Sequence, residues 1–422
     1  MTQAPAIVRL PEPSKQTELK PAPTYDVTAL SDERTQTLGR LLEQGHISVA
    51  PLRNPKLILH CHLPHTLGSA YALGASSKQL VECYEHEIKT LVKRDEVFIT
   101  GDKVSKENWR NFLNDKSYTV AYVEFFDEEV KRRNGDWKSV VEEYLYDTSA
   151  PIINGLAGGL GHPFIHLAYA YEFQSTFVAT EALSLGCTER LELHGLLDNE
   201  SPDNSTYKTK SLADVMERVR TDMRFDGLLT VPGITNIEEL LKHRFQDVIA
   251  HWNAWEVVEP VQQLEQIIDL SVILAISDGD SDKSFDFYIV HLMSTAHALR
   301  VLWQHFPPER LRPILRQYAL FAILIYIAQL RPSFGIEGIE SVNTERRDWD
   351  WVVQTALAHK WVLDTHFFKM VRAPKAFAET YGEKQGFYLK AAIKFLTEFK
   401  GWEGFGVGVE GFDPSRDGYR PE

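Results

Sequence analysis

The chain has 422 residues, 44% of them apolar, which is enough to bury a large core. Its 45 Lys and Arg against 59 Asp and Glu give a net charge of −14. That charge excludes sequence-independent nucleic-acid binding, and without a polybasic cluster it excludes docking on an anionic membrane. The three cysteines, Cys61, Cys83 and Cys187, are too few and too scattered for a disulfide framework or a CxxC site.

In chain order, residues 1–30 are rich in proline and polar side chains without periodicity, and read as an extended N-terminal arm lying on the surface or disordered. They hold no apolar stretch long enough for a signal peptide, so a cytoplasmic protein is expected. From Ser31 nearly every segment shows helical spacing. SDERTQTLGRLLEQG opens on a Ser–Asp cap and is expected to stop at Gly45. SSKQLVECYEHEIKTLVKR carries Leu80, Cys83, Tyr84, Ile88, Leu91 and Val92 on one stripe. SYTVAYVEFFDEEVKRRNG ends at Asn134–Gly135. DWKSVVEEYLYD, SLADVMERVRTDM, NIEELLKHRFQDVIAHWNAW and DWDWVVQTALAHKWVLDTHFFKMVR read as further helices. A short extended piece is expected at Val97–Thr100, and 199–211 reads as a polar loop with Asn-x-Ser/Thr matches at Asn199 and Asn204. The apolar run near Ile314–Leu330 carries Arg316 and Gln317 and is short for a bilayer, so it reads as a buried core helix. The tail, 401–422, is glycine-rich and irregular, and Trp402, Phe405 and Phe412 would pack it on the body. With no low-complexity linker and no fixed repeat, the expected fold is all-α: one large multi-helix domain over 31–400, flanked by arm and tail.

Several cofactor signatures are missing. GLAGGLGHP at 155–163 lacks the Lys-Ser/Thr of a phosphate loop. GFGVGVEG at 404–411 has neither a preceding strand nor a following helix, so it is no dinucleotide fingerprint. There is no GxSxG elbow, and Glu43-x-x-His46 is half of a di-iron pattern. No flavin, nicotinamide or di-iron module is recognisable.

The fifteen histidines are more informative. His62 and His65 stand three apart, with Pro64 suited to a first helical turn. His162 and His166 stand four apart on one helical face, beside Pro163. His291 lies in an apolar helix, and His297, six on, takes another face. Asp364, His366 and Lys369 bracket one turn. A single histidine on an apolar helix is ordinarily a satisfied core residue. Six of them need partners, and each unsatisfied polar group costs ~1–3 kcal/mol, so one shared wet or metallated site is the economical solution. A buried Lys369 must be paired, neutral or chemically altered. His86, His194, His243, His251, His305 and His359 sit among charges or at helix ends and read as surface or structural.

These stretches together resemble the questin oxidase-like family of fungal secondary metabolism. The matching pieces are His62-Leu-Pro-His65 with SAYALGAS, NFLNDKSYTVAYVEFFDEEV, APIINGLAGGLGHPFIHLAYAYEF followed by Glu181-Ala-Leu, FDFYIVHLMST and DTHFFKMVRA. They run in order from about residue 55 to 375. The chain departs at His65-Thr66, where the family often has two histidines. The resemblance implies a flavin-independent oxygenase that opens the central ring of an anthraquinone, or its hydroquinone, by Baeyer–Villiger-type insertion from O2 toward benzophenones and xanthones. It implicates His62, His65, His162, His166, His291, His366 and Lys369 as catalytic residues. It further implies that Fe(II), if present, is held by His62, His162, His166, His291, His366 and a carboxylated Lys369; other members are thought to work without metal. NADPH, if used, would reduce the substrate beforehand. A flat phenolic tricycle wants an aromatic pocket, and Tyr71, Tyr118, Tyr122, Phe126, Tyr169 and Phe173 are the candidates to line it. The expected partner is this small aromatic polyketide, with a homodimer possible. The alternatives are a non-catalytic helical polyketide-binding protein and a helical di-iron or haem-oxygenase-like oxidase.

Overall fold

The computed structural model describes residues 8–29, 31–53, 59–96, 103–147, 151–190, 192–198, 202–277 and 285–406. Val97–Thr100, Asn199, Phe412 and most of GFGVGVEG lie outside them.

The first helix, α1 (Glu33–Ser48), is capped by Asp32, whose side chain accepts from Thr35 N. It runs past Gly45 rather than stopping there. A Cβ at Gly45 would lie 2.3 Å from Leu63 Cδ2, so this glycine serves close packing and not termination. The chain then forms β1 (Val49–Arg53) and β2 (Leu59–His60) before α2 (Leu63–Ala72). α3 (Ser77–Glu87) opens with a Ser76–Gln79 capping box. Leu91 and Val92, expected on its helical stripe, instead form β3 (Leu91–Lys93). The sheet order is β2-β1-β3, antiparallel, with Leu52 opposite His60 and Arg53 opposite Leu91. These strands are too short to show an alternating pattern, which is why sequence periodicity misses them.

Next come α4 (Thr119–Arg132), α5 (Trp137–Leu145), α6 (Gly158–Phe173) and α7 (Thr176–Thr188). A short α8 (Gly195–Asp198) leads to α9 (Leu212–Thr221), α10 (Asn236–Ala254) and α11 (Pro260–Ile276). After β4 (Phe285–Asp286) come α12 (Val290–Leu302), α13 (Pro308–Ala328) and a single turn, α14 (Glu337–Glu340). The long segment from Asp348 divides into α15 (Trp349–Leu357) and α16 (Thr365–Tyr381), because Asp364 caps a new helix by accepting from Phe367 N at 2.7 Å. α17 (Phe387–Glu398) precedes β5 (Trp402–Glu403). Seventeen helices and five short strands among the described residues make the fold all-α.

α6 is the central element. It packs on α7, α12 and α2, while α16 closes the group against α2 and α12. Among the described residues α13 alone is long and apolar enough to cross a membrane, and 78% of its apolar window is buried in this core. Its polar residues are used internally. Gln317 accepts from Ala157 N and donates to Ile153 O, both at 2.7 Å, which anchors the approach to α6. Arg316 lies over the Trp252 ring at 4.0 Å. The arm from residue 8 runs extended over the body. Ser14 bonds Glu265, and Tyr25 stacks on Phe173 with centroids 5.6 Å apart. β5 pairs in parallel with β4, with Phe285 opposite Trp402, and this brings the tail beside the start of α12.

Candidate active site

Two unusual helix starts face each other at the centre of the fold. His62 is the residue before α2, and Pro64 lies in its first turn. Thr66 secures the turn by donating to His62 O at 3.1 Å, and its hydroxyl also meets Thr365 Oγ1 at the start of α16. Opposite, Gly159, Leu160 and Gly161 hold φ of 51°, 60° and 76° in succession. The left-handed region costs an L-residue ~1–2 kcal/mol, so Leu160 is held there by its surroundings. The reversal turns Gly159 O back onto His162 Nδ1, at 2.5 Å.

That bond fixes the tautomer of His162. Its Nδ1–H donates, so its Nε2 carries a lone pair. His291 is fixed the same way by Phe287 O at 2.8 Å. Both lone pairs point at further imidazoles. His162 Nε2 lies 2.8 Å from His62 Nε2, and His291 Nε2 lies 3.2 Å from His366 Nε2. The four rings close a circuit, with centroids 4.9 Å (His62–His162), 5.4 Å (His162–His291), 4.9 Å (His291–His366) and 4.8 Å (His366–His62). His65 is a fifth member: nitrogen atoms of His62, His65 and His162 lie within 4.8 Å of one another, as do those of His162, His291 and His366. Burial, reinforced by the neighbouring imidazoles and Lys369, pushes all five well below the usual histidine range. They are neutral donors at pH 7. For a metal–nitrogen bond of about 2.1 Å, ligands at right angles stand about 3 Å apart, so the Nε2 separations suit a borderline transition metal. The backbone carbonyls on His162 and His291 are the outer partners that metal-bound imidazoles ordinarily keep.

Lys369 lies one turn beyond His366, 3% exposed. Its amine has no hydrogen-bond partner among the described residues. Burial pulls it down to about 7, against the pull of Asp364 and Glu87. It does not reach the main cavity. It borders a void of about 10 Å³ shared with Tyr169, His297 and Arg372, room for about one water.

The imidazoles form one end of a cavity of about 450 Å³. Its sides are apolar, from Leu241 of α10 and Leu320, Phe321, Leu324 and Ile325 of α13. Phe287, Trp402 and Phe405 close it from the β4–β5 side. Arg53, Glu87, Lys116 and Glu189 supply polar points. This is the size and character of a small-molecule site.

Of the seven predicted catalytic residues, the structure brings His62, His162, His291 and His366 to the cavity wall, with His65 and Lys369 directly behind. His166, expected as a metal ligand, offers no free nitrogen: its Nδ1 faces His65 Nε2 at 3.0 Å and its Nε2 faces Glu181 at 2.9 Å. None of the six aromatics expected to hold substrate lines the cavity. Tyr71 bonds Thr35 at 2.6 Å, and Tyr118 stacks on Phe112 at 4.1 Å. Tyr122 donates to Trp109 O, and Phe126 packs on Tyr144 at 5.2 Å. Tyr169 meets the Ser69 hydroxyl at 2.6 Å, and Phe173 lies 5.7 Å from Tyr71. They are buried in the core away from the cavity, because helical spacing says which face is buried but not against what. His86 and His194, expected at the surface or as structure, both border the cavity.

Sequence reasoning missed His60, whose ring stacks 4.2 Å from His162 and pairs with Glu189 at 2.7 Å. It also missed Glu189, which takes Lys116 at 2.8 Å, and Glu181. Glu181 carried a signal: it is the lone carboxylate in the apolar helix TFVATEALSLGCT.

The questin oxidase-like family model matches residues 59–374, a span that holds all seven predicted catalytic residues. The chain is 21% identical over 345 residues to a Baeyer–Villiger oxidase of Pestalotiopsis microspora, covering 75% of each chain. It is 23% identical over 431 residues to the oxidoreductase AflY of Aspergillus parasiticus, covering 94% of this chain and 86% of that one. It is 25% identical over 258 residues to questin oxidase of Aspergillus terreus, covering 58% and 57%. With the imidazole circuit and the family match falling on the same stretch, the chain belongs to the questin oxidase-like family.

Proposed function

We propose that this oxidoreductase uses O2, without flavin, to cleave the central ring of a planar phenolic tricycle of the anthraquinone class, taken in its hydroquinone form, in fungal polyketide metabolism. The observation that carries the reading is the convergence of neutral imidazole nitrogens on one end of a mainly apolar cavity of about 450 Å³. The names of the relatives supply the reaction class. The balance is one hydroquinone and one O2 giving one lactone and one water. Two of the four electrons restore the quinone level, and two place one oxygen atom in the ring carbon–carbon bond.

The chain's own groups divide this work. The apolar wall of α13 takes the flat faces of the rings and excludes water. A neutral imidazole at the end wall accepts the hydroquinone hydroxyl proton, leaving an electron-rich anion. Fe(II), when bound by His62, His162, His291 and His366, would supply open positions for O2 activation. A neutral Lys369 amine can add CO2, forming an N–C bond and releasing one proton, and the carbamate would bring the negative charge that the imidazoles lack. A metal-free course has its own support: His62–His162 and His291–His366 satisfy one another pairwise by hydrogen bonds.

The test is incubation with a panel of anthraquinones, reductant and 18O2 under an oxygen electrode, followed by mass spectrometry. Oxygen uptake with one 18O in the product is expected. Tight binding without uptake would instead make the protein a polyketide carrier. Activity of anaerobically purified protein before and after chelation separates the metal course from the metal-free one.

A further inference from the structure

A second polar assembly leaves the back of the histidine centre, where the cavity does not reach. His65 Nε2 lies 3.0 Å from His166 Nδ1, and His166 Nε2 lies 2.9 Å from Glu181 Oε2. Glu181 Oε1 lies 2.9 Å from His46 Nδ1, and His46 Nε2 lies 3.1 Å from Asp127 Oδ2. The five groups come from α2, α6, α7, α1 and α4 in turn. His65 and His166 are fully buried, His46 and Glu181 nearly so, and the Asp127 side chain is 33% exposed, so the series ends in solvent.

Donors and acceptors along it can be assigned. Both carboxylates accept, so His46 donates from both ring nitrogens. His166 donates to Glu181 from Nε2 and therefore accepts at Nδ1 from His65 Nε2–H. His65 is left with a lone pair on Nδ1, an atom with no hydrogen-bond partner among the described residues. Nitrogen atoms of His65, His62 and His162 lie within 4.8 Å of one another, a span that one water bridges. Other groups around His46 are few: the Phe177 ring at 4.9 Å, and Arg94, which donates to His46 O at 2.9 Å and lies 3.6 Å from Asp127. Holding α1, α4 and α7 together needs one such pair. An unbroken series of hydrogen bonds runs from the buried centre to the surface, with both neighbours donating to Glu181, and such a series is what proton transfer needs.

We propose that His65, His166, Glu181, His46 and Asp127 form a proton relay between the histidine centre and solvent. The inference rests on the proposed reaction, in which a hydroxyl proton must leave and water must form while an apolar ring fills the cavity. A proton arriving on His65 Nδ1 displaces the Nε2 proton to His166 Nδ1, and the His166 Nε2 proton passes to Glu181. His46 gives its Nε2 proton to Asp127 and keeps the one on Nδ1, so the Glu181–His46 ion pair becomes a neutral carboxyl beside a neutral imidazole. One proton crosses, two histidines exchange tautomers, and no heavy-atom bond changes. His46 and Asp127 touch no substrate and act through the relay.

The experiment uses full-length protein labelled with 15N-histidine, without metal or substrate, and follows exchange of the His166 ring N–H with solvent. His46→Asn is expected to slow that exchange by about 10-fold or more, the order of loss when one member of a proton-transfer series is removed. Asp127→Asn, at the exposed end and safe for folding, is expected to slow it by less. A purely structural assembly would loosen in these variants and exchange faster, and that result, or an unchanged rate, overturns the relay. In turnover, Asp127→Asn is expected to lower kcat several-fold with KM unchanged, and imidazole added to His46→Asn to restore part of the loss. Unchanged kcat in an active enzyme removes the relay from catalysis. A wild-type protein that oxidises no hydroquinone removes the proposed function and leaves the exchange result standing.

Discussion

Gly161→Ala probes the turn that aims His162. The backbone there is left-handed, φ 76°, and an added Cβ would stand 2.2 Å from Thr295 Oγ1 and 3.2 Å from Thr295 Cγ2. Thr295 is fully buried on α12 and cannot rotate away into solvent. The left-handed residue costs ~1–2 kcal/mol once it carries a Cβ. The overlap adds about 1–3 kcal/mol of overpacking, so a destabilisation of about 2–5 kcal/mol is expected. Gly135→Ala is the control: its φ is 90° but nothing lies within 4 Å of its Cβ, so it bears the backbone cost alone. Thr295 sits one turn from His291 on the same helical face, so whichever helix yields also parts His162 from His291. A shift of ~1 Å at a reacting centre costs about 10²-fold in rate. Urea midpoints at constant slope measure the stability difference, and turnover on the hydroquinone panel measures the displacement. If Gly161→Ala unfolds at the same midpoint as Gly135→Ala and retains full activity, the argument that this turn positions the centre is wrong.

The remaining predictions are shorter. Burial opposes the charged form of His46, but hydrogen bonds to Asp127 and Glu181 outweigh it and raise it from 6.5 to about 9. A raised histidine stabilises fully below its unfolded value, so about 3 kcal/mol of folding stability should be lost as pH rises from 6.5 through 9, and His46→Asn should flatten the stability curve over that window. Glu181 is held down to about 2, against its burial, by hydrogen bonds from His166 and His46; the His46 part is the same contact seen from its other side and is not added. Arg372→Met leaves buried Glu172 unpaired and should cost about 3–5 kcal/mol by denaturant titration, with Glu172→Leu in the same chain recovering most of it. Phe321→Trp narrows the cavity along its α13 wall, so KM for the tricycle should rise while the content of any bound metal stays unchanged. Lys369→Met should abolish activity if the carbamate matters, and 13CO2 should give a carbamate carbon resonance in wild-type protein that this variant lacks.

Much of the centre is local in origin and therefore legible along the chain. Pro64 after His62 and Pro163 after His162 mark helix starts, and the spacing of His366 and Lys369 places both on one face. Caps at Asp32, Asp136, Asp348 and Asp364 delimit helices by backbone hydrogen bonding that depends on neighbours three residues away. Such features follow from residues close in sequence, so composition and periodicity carry them. What sequence could not carry is the pairing of distant surfaces. Tyr71, Tyr122 and Phe126 are as apolar and as periodic as Phe321 and Leu324, but only packing decides that the second group faces the cavity and the first other core side chains. The tautomers of His162 and His291 are set by Gly159 O and Phe287 O, through a left-handed turn that no periodicity encodes. Glu181 acquires its meaning only when α1 brings His46 to one oxygen and α6 brings His166 to the other. Each helix was written locally; which nitrogen met which, and therefore what the centre can do, was decided where the helices crossed.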